Sequence, residues 1–394
     1  MRGDLLDVLL AVAALLFAYS GYRQGFVVGV LSFLGFLGGG VLGAKLAPRV
    51  VELGPLERLP RALVAVLVVF GVACLGQLLA SRLGAGLRSR LTWGPARVLD
   101  ALAGAAVSAV SVLLVAWLVG TAVASSSFPA LAAQVRRSVL IAKVDAVMPG
   151  AARGFFSDFR RLVDTRGFPD VFGGLTPTEV TPVDPPDPKL AGSAAVTRAR
   201  PSVLKITGIA RSCSRRLEGT GFVFAPERIM TNAHVVAGVR EPNVEVGGRR
   251  LPGRVVLYDP DRDIAVIYVP GLNRKALSFA GPAERGQSAV VVGYPQDGPF
   301  RADPARVRGI QQARGPDIYQ RRTVDREIYS LYARVRPGNS GGPLIDTSGR
   351  VRGVVFAAAA DASETGYALT AKEVSEDVAA GRGATSAVSS EGCD

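Results

Sequence analysis

Residues 103–124 read AGAAVSAVSVLLVAWLVGTAVA, without one ionisable side chain. As a helix rising ~1.5 Å per residue, such a run is long enough to cross the ~30 Å hydrocarbon layer of a bilayer. Apolar runs of this kind occupy roughly 4–20, 26–46, 62–81 and 98–124. A spanning helix needs about 20 apolar residues. The last three runs meet that length and the first only just does. A cleaved leader is the other reading of the first run, but further spans behind it favour a multi-pass domain. The chain is therefore expected to open with an all-α membrane domain of four transmembrane helices over residues 1–125.

Glycine suggests how these helices meet. The second run carries Gly25, Gly29, Gly35, Gly39 and Gly43, and the fourth Ala101, Gly104, Ala105 and Ser108. Spacings of three and four put small residues on one helix face, where backbones approach closely. The same faces offer a route to self-association. No run has a charge at its centre, which counts against an ion or substrate path.

The net charge of +13 raises the question of nucleic acid. No nucleic-acid motif accompanies it and the arginines are scattered, so that partner is set aside. Arginine near spans belongs with anionic lipid and cytoplasmic loops. Arg82, Arg88, Arg90 and Arg97 lie between the third and fourth runs with no acid among them. That stretch reads as cytoplasmic and places both chain ends outside, a modest preference because Lys45, Arg49, Arg58 and Arg61, diluted by Glu52 and Glu57, lie between the second and third runs. The wording GYRQGFVVG after the first run and RVLDALAGAAVSAV opening the fourth resembles the colicin V production (CvpA) family of small four-span membrane domains, over roughly 5–125.

Residues 126–195 read as a connector. QVRRSVLIAKVDAVM and FFSDFRRLVD have helical periodicity with basic character; they form amphipathic helices or a solvated spacer. Prolines at 177, 182, 185, 186 and 188 then favour an extended, semi-rigid tether.

From 196 to 394 the pattern changes. SVLKITGI, GTGFVFAP, RVVLY, DIAVIYV, SAVVVGYP, REIYSLYARV and GRVRGVVFAA alternate with glycine and proline turns, and AKEVSEDVAA reads as a closing helix. This is the pattern of an all-β sandwich or barrel. The segment 300–330 is long, basic and glycine-bearing, its arginines either cleavage sites or solvated surface.

His234, in TNAHVV, is the only histidine in the chain, and Ser340 lies in GNSGGP. A serine among glycines is commonly a tight turn. G-x-S-x-G is also the nucleophile elbow of α/β-hydrolases, but there the histidine follows the serine. Here it precedes, which leaves the His, Asp, Ser order of chymotrypsin-like enzymes. Asp263 is the preferred acid because it abuts the apolar run IAVIYV, with Asp261 and Asp259 as alternatives. A Ser–Lys dyad is the weaker catalytic alternative. With one histidine, three cysteines and no CxxC, the chain offers no structural zinc site and calls for no cofactor.

In this order GTGFVF, TNAHVV, DRDIAVI, GNSGGPL and TGYALT resemble the HtrA type of trypsin-like protease, over roughly 197–380. The resemblance implies a chymotrypsin-like double β-barrel and serine endopeptidase activity on protein or peptide substrates. It assigns Ser340 as nucleophile, His234 as base and Asp263 as the orienting acid, with the N–H groups of Gly338 and Ser340 as the oxyanion hole. HtrA proteases usually carry PDZ domains, and the short stretch after Ser340 has no room for one. Taken together, the two halves resemble actinobacterial membrane-anchored serine proteases associated with acid resistance. The expectation is a multidomain, multi-pass protein of the cytoplasmic membrane with its protease on the extracytoplasmic, periplasmic side, acting in envelope stress or acid resistance. The competing readings are a catalytically idle binding module and a membrane scaffold. In that compartment Cys213 and Cys393 are expected to pair, while Cys74 lies in a span; two free thiols are the alternative.

Overall fold

Leucine, valine and alanine dominate the first part of the chain, and they form helix. The computed structural model describes residues 5–52, 61–124, 129–148, 169, 171–172, 178–210, 213 and 215–393. The long helices are α1 (Leu5–Gln24), α2 (Phe26–Glu52), α3 (Arg61–Ser89) and α4 (Gly94–Ala124), followed by the short α5 (Pro129–Arg137) and α6 (Val139–Val147). Four of these helices are long and apolar enough to cross a membrane, in the windows Leu5–Gln24, Phe26–Gly43, Phe70–Ser89 and Gly94–Thr121. The second connector helix expected at 155–164 lies outside the described residues. The chain divides into two units, Met1–Gly120 with Arg137–Met148, and Thr121–Arg136 with Pro149–Asp394.

In the helical unit, glycines set the helix contacts. A Cβ on Gly35 would lie 2.4 Å from Gly76 O, and one on Gly39 2.5 Å from Val72 O, so α2 and α3 meet backbone to backbone. Gly21 and Gly104 do the same for α1 and α4, each Cβ falling 2.3–2.4 Å from the other's carbonyl. Gly29 meets nothing within 4 Å, so it takes no part in the stripe read from the sequence. The two stretches that carry the CvpA resemblance touch. Asp100 accepts from Val27 N (2.9 Å) at the start of α2 and pairs with Arg88 Nε (2.8 Å), while Arg88 donates to the Arg23 carbonyl. Gly25 makes the break between α1 and α2 at φ +80°, and a Cβ there would sit 2.0 Å from Asp100 Oδ2. At the other end of α1, Asp7 accepts from Val139 N (2.9 Å) and Leu140 N (3.2 Å), capping α6. Trp117 donates to Asp145 of α6 (2.9 Å).

The other unit is β-rich. Its strands are β1 (Val203–Ala210), β2 (Arg215–Ala225), β3 (Arg228–Thr231), β4 (Asn243–Val246), β5 (Arg249–Pro252), β6 (Arg254–Asp259), β7 (Ile264–Tyr268), β8 (Ser288–Gly293), β9 (Arg301–Pro316), β10 (Thr323–Tyr332), β11 (Pro343–Asp346), β12 (Val351–Ala358) and β13 (Thr365–Thr370). The first seven form one sheet in the order β5-β4-β1-β2-β3-β7-β6, and the rest close a barrel, β10-β13-β12-β11-β8-β9. Short helices α7 (Ala194–Ala199), α8 (Ala233–Val236) and α9 (Ser375–Gly381) complete it. One core cluster joins both sheets through Phe222, Met230 and Ile264 on one side and Val292, Phe356 and Leu369 on the other. The sheets therefore share a buried seam, and the loops over that seam are held by both.

Two features differ from the sequence reading. Residues 301–316, unmarked as a strand in the sequence, pair in the barrel with 323–332, the strand that REIYSLYARV signals. Alternate positions of β9 point inward with small side chains, Ala305 and Ala313 among them, and Arg308 and Arg326 are buried rather than solvated. The proline-rich stretch is extended, but it is bonded to the barrel. Arg308 donates to Thr181 O (2.7 Å), Arg285 to Pro182 O (2.7 Å) and Arg306 to Pro185 O (3.0 Å). Upstream of it, Val171 is buried in the shared core and Phe172 packs edge-on to Tyr367.

Candidate active site

β3 ends at Thr231, and Asn232 turns the chain into the single-turn α8 that carries His234. The Asn232 side-chain amide donates to Asp263 O (2.7 Å), tying that turn to the tight loop before β7. Asp263 has φ +60° and no exposed surface. Aspartate tolerates this left-handed region better than most residues, and here it aims the carboxylate at α8. Asp263 Oδ1 accepts the His234 backbone N–H (3.0 Å), and Oδ2 lies 2.8 Å from Nδ1. The carboxylate fixes the hydrogen on Nδ1 and leaves Nε2 as the basic nitrogen.

The other two aspartates of the stretch have other tasks. Asp259 accepts from the Asp261 and Arg262 N–H groups (2.9 and 3.0 Å), and Asp261 pairs with Arg322 (2.8 Å). Behind them Arg326, 1% exposed, donates to Asp261 O (2.6 Å) and Pro316 O (3.1 Å). Burial pushes its guanidinium pKa down, and the negative charge of nearby Asp263 opposes that shift. The sequence placed this arginine at a surface; its structural task was not legible there.

Ser340 sits in the turn before β11, 2% exposed, and its hydroxyl makes no hydrogen bond among the described residues. Loose contacts of this sort are common before substrate binds. Each glycine of GNSGGP is there for a distinct reason. Gly338 has φ +90°, and its Cβ would fall 2.5 Å from Tyr294 O. Gly341 has φ +80°, and a Cβ would meet Thr220 O at 2.1 Å and Thr231 Oγ1 at 2.3 Å. A Cβ on Gly342 would fall 2.5 Å from Val292 O. Ser340 O accepts from Thr220 N (2.8 Å), so the serine turn is held against the sheet that carries His234. Among the described residues, neither the Gly338 nor the Ser340 N–H donates to a protein acceptor, whereas the intervening Asn339 N–H donates to Arg336 O (2.9 Å). Arg336 is in turn held by Asp303 (3.1 Å).

Cys213 and Cys393 form a disulfide with Cα atoms 6.5 Å apart, and Cys74 is free. The tail it anchors runs beside the end of α8: Gly238 N donates to Ser390 O (2.9 Å), Ser390 Oγ to Val239 O (2.9 Å) and Tyr319 OH to Gly392 O (3.0 Å).

Residues 219–354 match the trypsin-like peptidase domain family, and residues 6–149 match the colicin V production protein family. The serine protease Rv3671c of Mycobacterium tuberculosis is 40% identical over 391 residues, covering 98% of this chain and 98% of that one. The crystal structure of the Rv3671c protease in its active form is similar at a TM-score of 0.54 and 47% identity, covering 57% of this chain and 99% of that chain.

Proposed function

The chain belongs to the family of trypsin-like serine proteases that carry a CvpA-type membrane domain, and from that premise we propose that it cleaves protein substrates outside the cytoplasmic membrane with the triad His234, Asp263 and Ser340. The observation that carries the triad is the Asp263 carboxylate, fully buried and 2.8 Å from His234 Nδ1. In this mechanism Ser340 Oγ attacks the scissile carbonyl as His234 Nε2 takes its proton. Asp263 stabilises the imidazolium that forms. The N–H groups of Gly338 and Ser340 receive the developing oxyanion, each worth on the order of 3 kcal/mol in the transition state. Nε2 then returns the proton to the leaving amine. A water activated by the same nitrogen releases the acyl group.

Charge supports the orientation. The end of the helical unit where α1 meets α2 and α3 meets α4 carries Arg23, Arg88, Arg90 and Arg97. By the positive-inside rule that end faces the cytoplasm, and the chain leaves the last span on the opposite side. A disulfide fits an oxidising compartment. A role in envelope stress or acid resistance is the setting that the resemblance of the two joined halves implies.

One experiment tests both parts. A membrane-impermeant fluorophosphonate probe applied to intact spheroplasts is expected to label the wild-type chain and not Ser340→Ala. Labelling only after lysis would reverse the orientation. Equal labelling of both chains would remove Ser340 as nucleophile.

A further inference from the structure

The nucleophile turn is braced at consecutive peptides. The Pro337 carbonyl, on the same peptide as the Gly338 N–H, accepts from Gln296 N (2.8 Å). The Gly338 carbonyl accepts from the Thr220 hydroxyl (2.6 Å), and the Asn339 carbonyl, on the same peptide as the Ser340 N–H, accepts from Gly342 N (2.9 Å). In a trans peptide the C=O and N–H point in opposite directions. Holding the Pro337 and Asn339 carbonyls on one side therefore turns the Gly338 and Ser340 N–H groups to the other.

Two of these braces come from outside the turn. Thr220 is wholly buried in β2. Its hydroxyl donates to Gly338 O and accepts from Tyr294 N (2.9 Å), and its own N–H holds Ser340 O (2.8 Å). Gln296 belongs to an exposed turn in which it and Asp297 both have positive φ, 56° and 54°. Two adjacent non-glycine residues in the left-handed region are costly, so the surroundings must over-determine them. They do: Lys205 Nζ donates to Asp297 O (2.6 Å) and pairs with its carboxylate, and Arg216 bonds Asp297 Oδ2 (3.0 Å). Lys205 lies on β1 and Arg216 on β2. The turn that holds Pro337 is thus fastened to the sheet that carries His234.

We propose that Thr220 and the left-handed turn at Gln296–Asp297 are positioning residues that hold the oxyanion-binding N–H groups of Gly338 and Ser340 in their catalytic orientation. The proposal rests on the protease reading above. These side chains touch neither the nucleophile hydroxyl nor the base. Their loss lowers transition-state stabilisation while leaving substrate affinity and His234 ionisation in place.

Thr220→Val keeps the shape and removes the hydroxyl, and Thr220→Ser restores it. With the purified full chain and a peptide substrate, Thr220→Val is expected to lower kcat on the order of 100-fold, as loss of an oxyanion donor does, with KM within about twofold. The pH midpoint of kcat stays put, and Thr220→Ser recovers most of the rate. The exposed turn gives a second test that leaves the core untouched. Gln296→Val, β-branched where φ is positive, is expected to lower kcat with KM unchanged, and Gln296→Gly to retain it. Full kcat in both valine variants overturns the proposal, as does a parallel rise in KM or a shifted pH midpoint. A wild-type chain that fails to react with fluorophosphonate removes the protease reading and the proposal with it; a reactive wild type beside unimpaired valine variants removes the proposal alone.

Discussion

Leu15, Phe17 and Phe70 of the helical unit face outward at 71%, 55% and 62% exposure, whereas Ile206, Phe222 and Phe356 of the β unit are wholly enclosed. The same residue types serve opposite purposes because the two units meet different solvents. Lipid tails are as apolar as leucine, so burial gives the helices little reason to choose one neighbour over another. Choice falls to backbone contacts at glycine, such as Gly35 on Gly76, and to the Asp100–Arg88 pair. In the β unit apolar burial from water holds the sheets together. Its glycines are released for the nucleophile turn, where they set backbone conformation.

Reduction of the disulfide is expected to separate the two units most widely. The bond closes a sequence separation of 180 residues. In the chain-entropy model a loop of that size contributes about 5 kcal/mol, which for a domain this large is a melting shift of roughly 10–20 °C. Calorimetry with and without reductant, and on a Cys213→Ser/Cys393→Ser chain, is expected to move the β transition alone. An unmoved transition would mean that the core suffices and the comparison loses its covalent part.

Glycine replacement sharpens the contrast at the level of single residues. Gly341→Ala forces a side chain into a left-handed position 2.1 Å from Thr220 O, and is expected to cost about 3 kcal/mol with most of the activity. Gly39→Ala pushes α2 off α3, while its neighbour Gly38 faces open space, so Gly38→Ala is expected to be neutral or to gain up to about 1 kcal/mol. Denaturant titration in detergent reads the difference. Equal effects at 38 and 39 would show that the α2–α3 contact is not specified by glycine.

The last expected effect is a slope with pH. Asp377 on α9 is 4% exposed and faces Asp259, Glu373, Glu376 and Arg262; burial raises its carboxyl to about 7. Because the folded state holds the proton more tightly than the unfolded chain, this group's contribution is full below pH ~4 and is lost as pH rises toward 7, at up to about 1.4 kcal/mol per pH unit. Asp377→Asn is expected to flatten that slope in the β unit's stability and leave helical content in the other unit unchanged. A slope that persists in the variant would assign the pH dependence to other groups.

Much of this was legible from the sequence. The apolar runs mark helices long enough to span, because their signal is length and absence of charge. GTGFVF, DIAVIYV and GRVRGVVFAA mark strands, because β-branched runs bounded by glycine admit few other readings. β9 was hidden. Its inward positions are mostly small, its outward ones mix arginine with glutamine and proline, and RADPARVRGIQQARGP therefore lacks the apolar content that advertises a strand. Arg326 was misplaced for a related reason: a guanidinium satisfied by backbone carbonyls can be buried, and carbonyls leave no mark in the sequence. Thr220 and Gln296 were invisible because they act through main-chain groups of residues far along the chain. Asp263 stood out from Asp259 and Asp261 only by abutting an apolar run, and the structure brings it to His234 Nδ1.

The stretch from Thr181 to Pro185 is gripped through its main chain, with Arg285, Arg306 and Arg308 donating to the carbonyls of Pro182, Pro185 and Thr181. A carbonyl is the same whatever side chain follows it. Mutational drift can therefore rewrite this segment freely so long as proline keeps it extended, while each arginine, having no substitute with the same reach and fork of donors, is fixed in place. Across descendants of this chain the segment should vary in letters and hold its path, and the selective constraint that keeps it there should be found a hundred residues away, on the barrel.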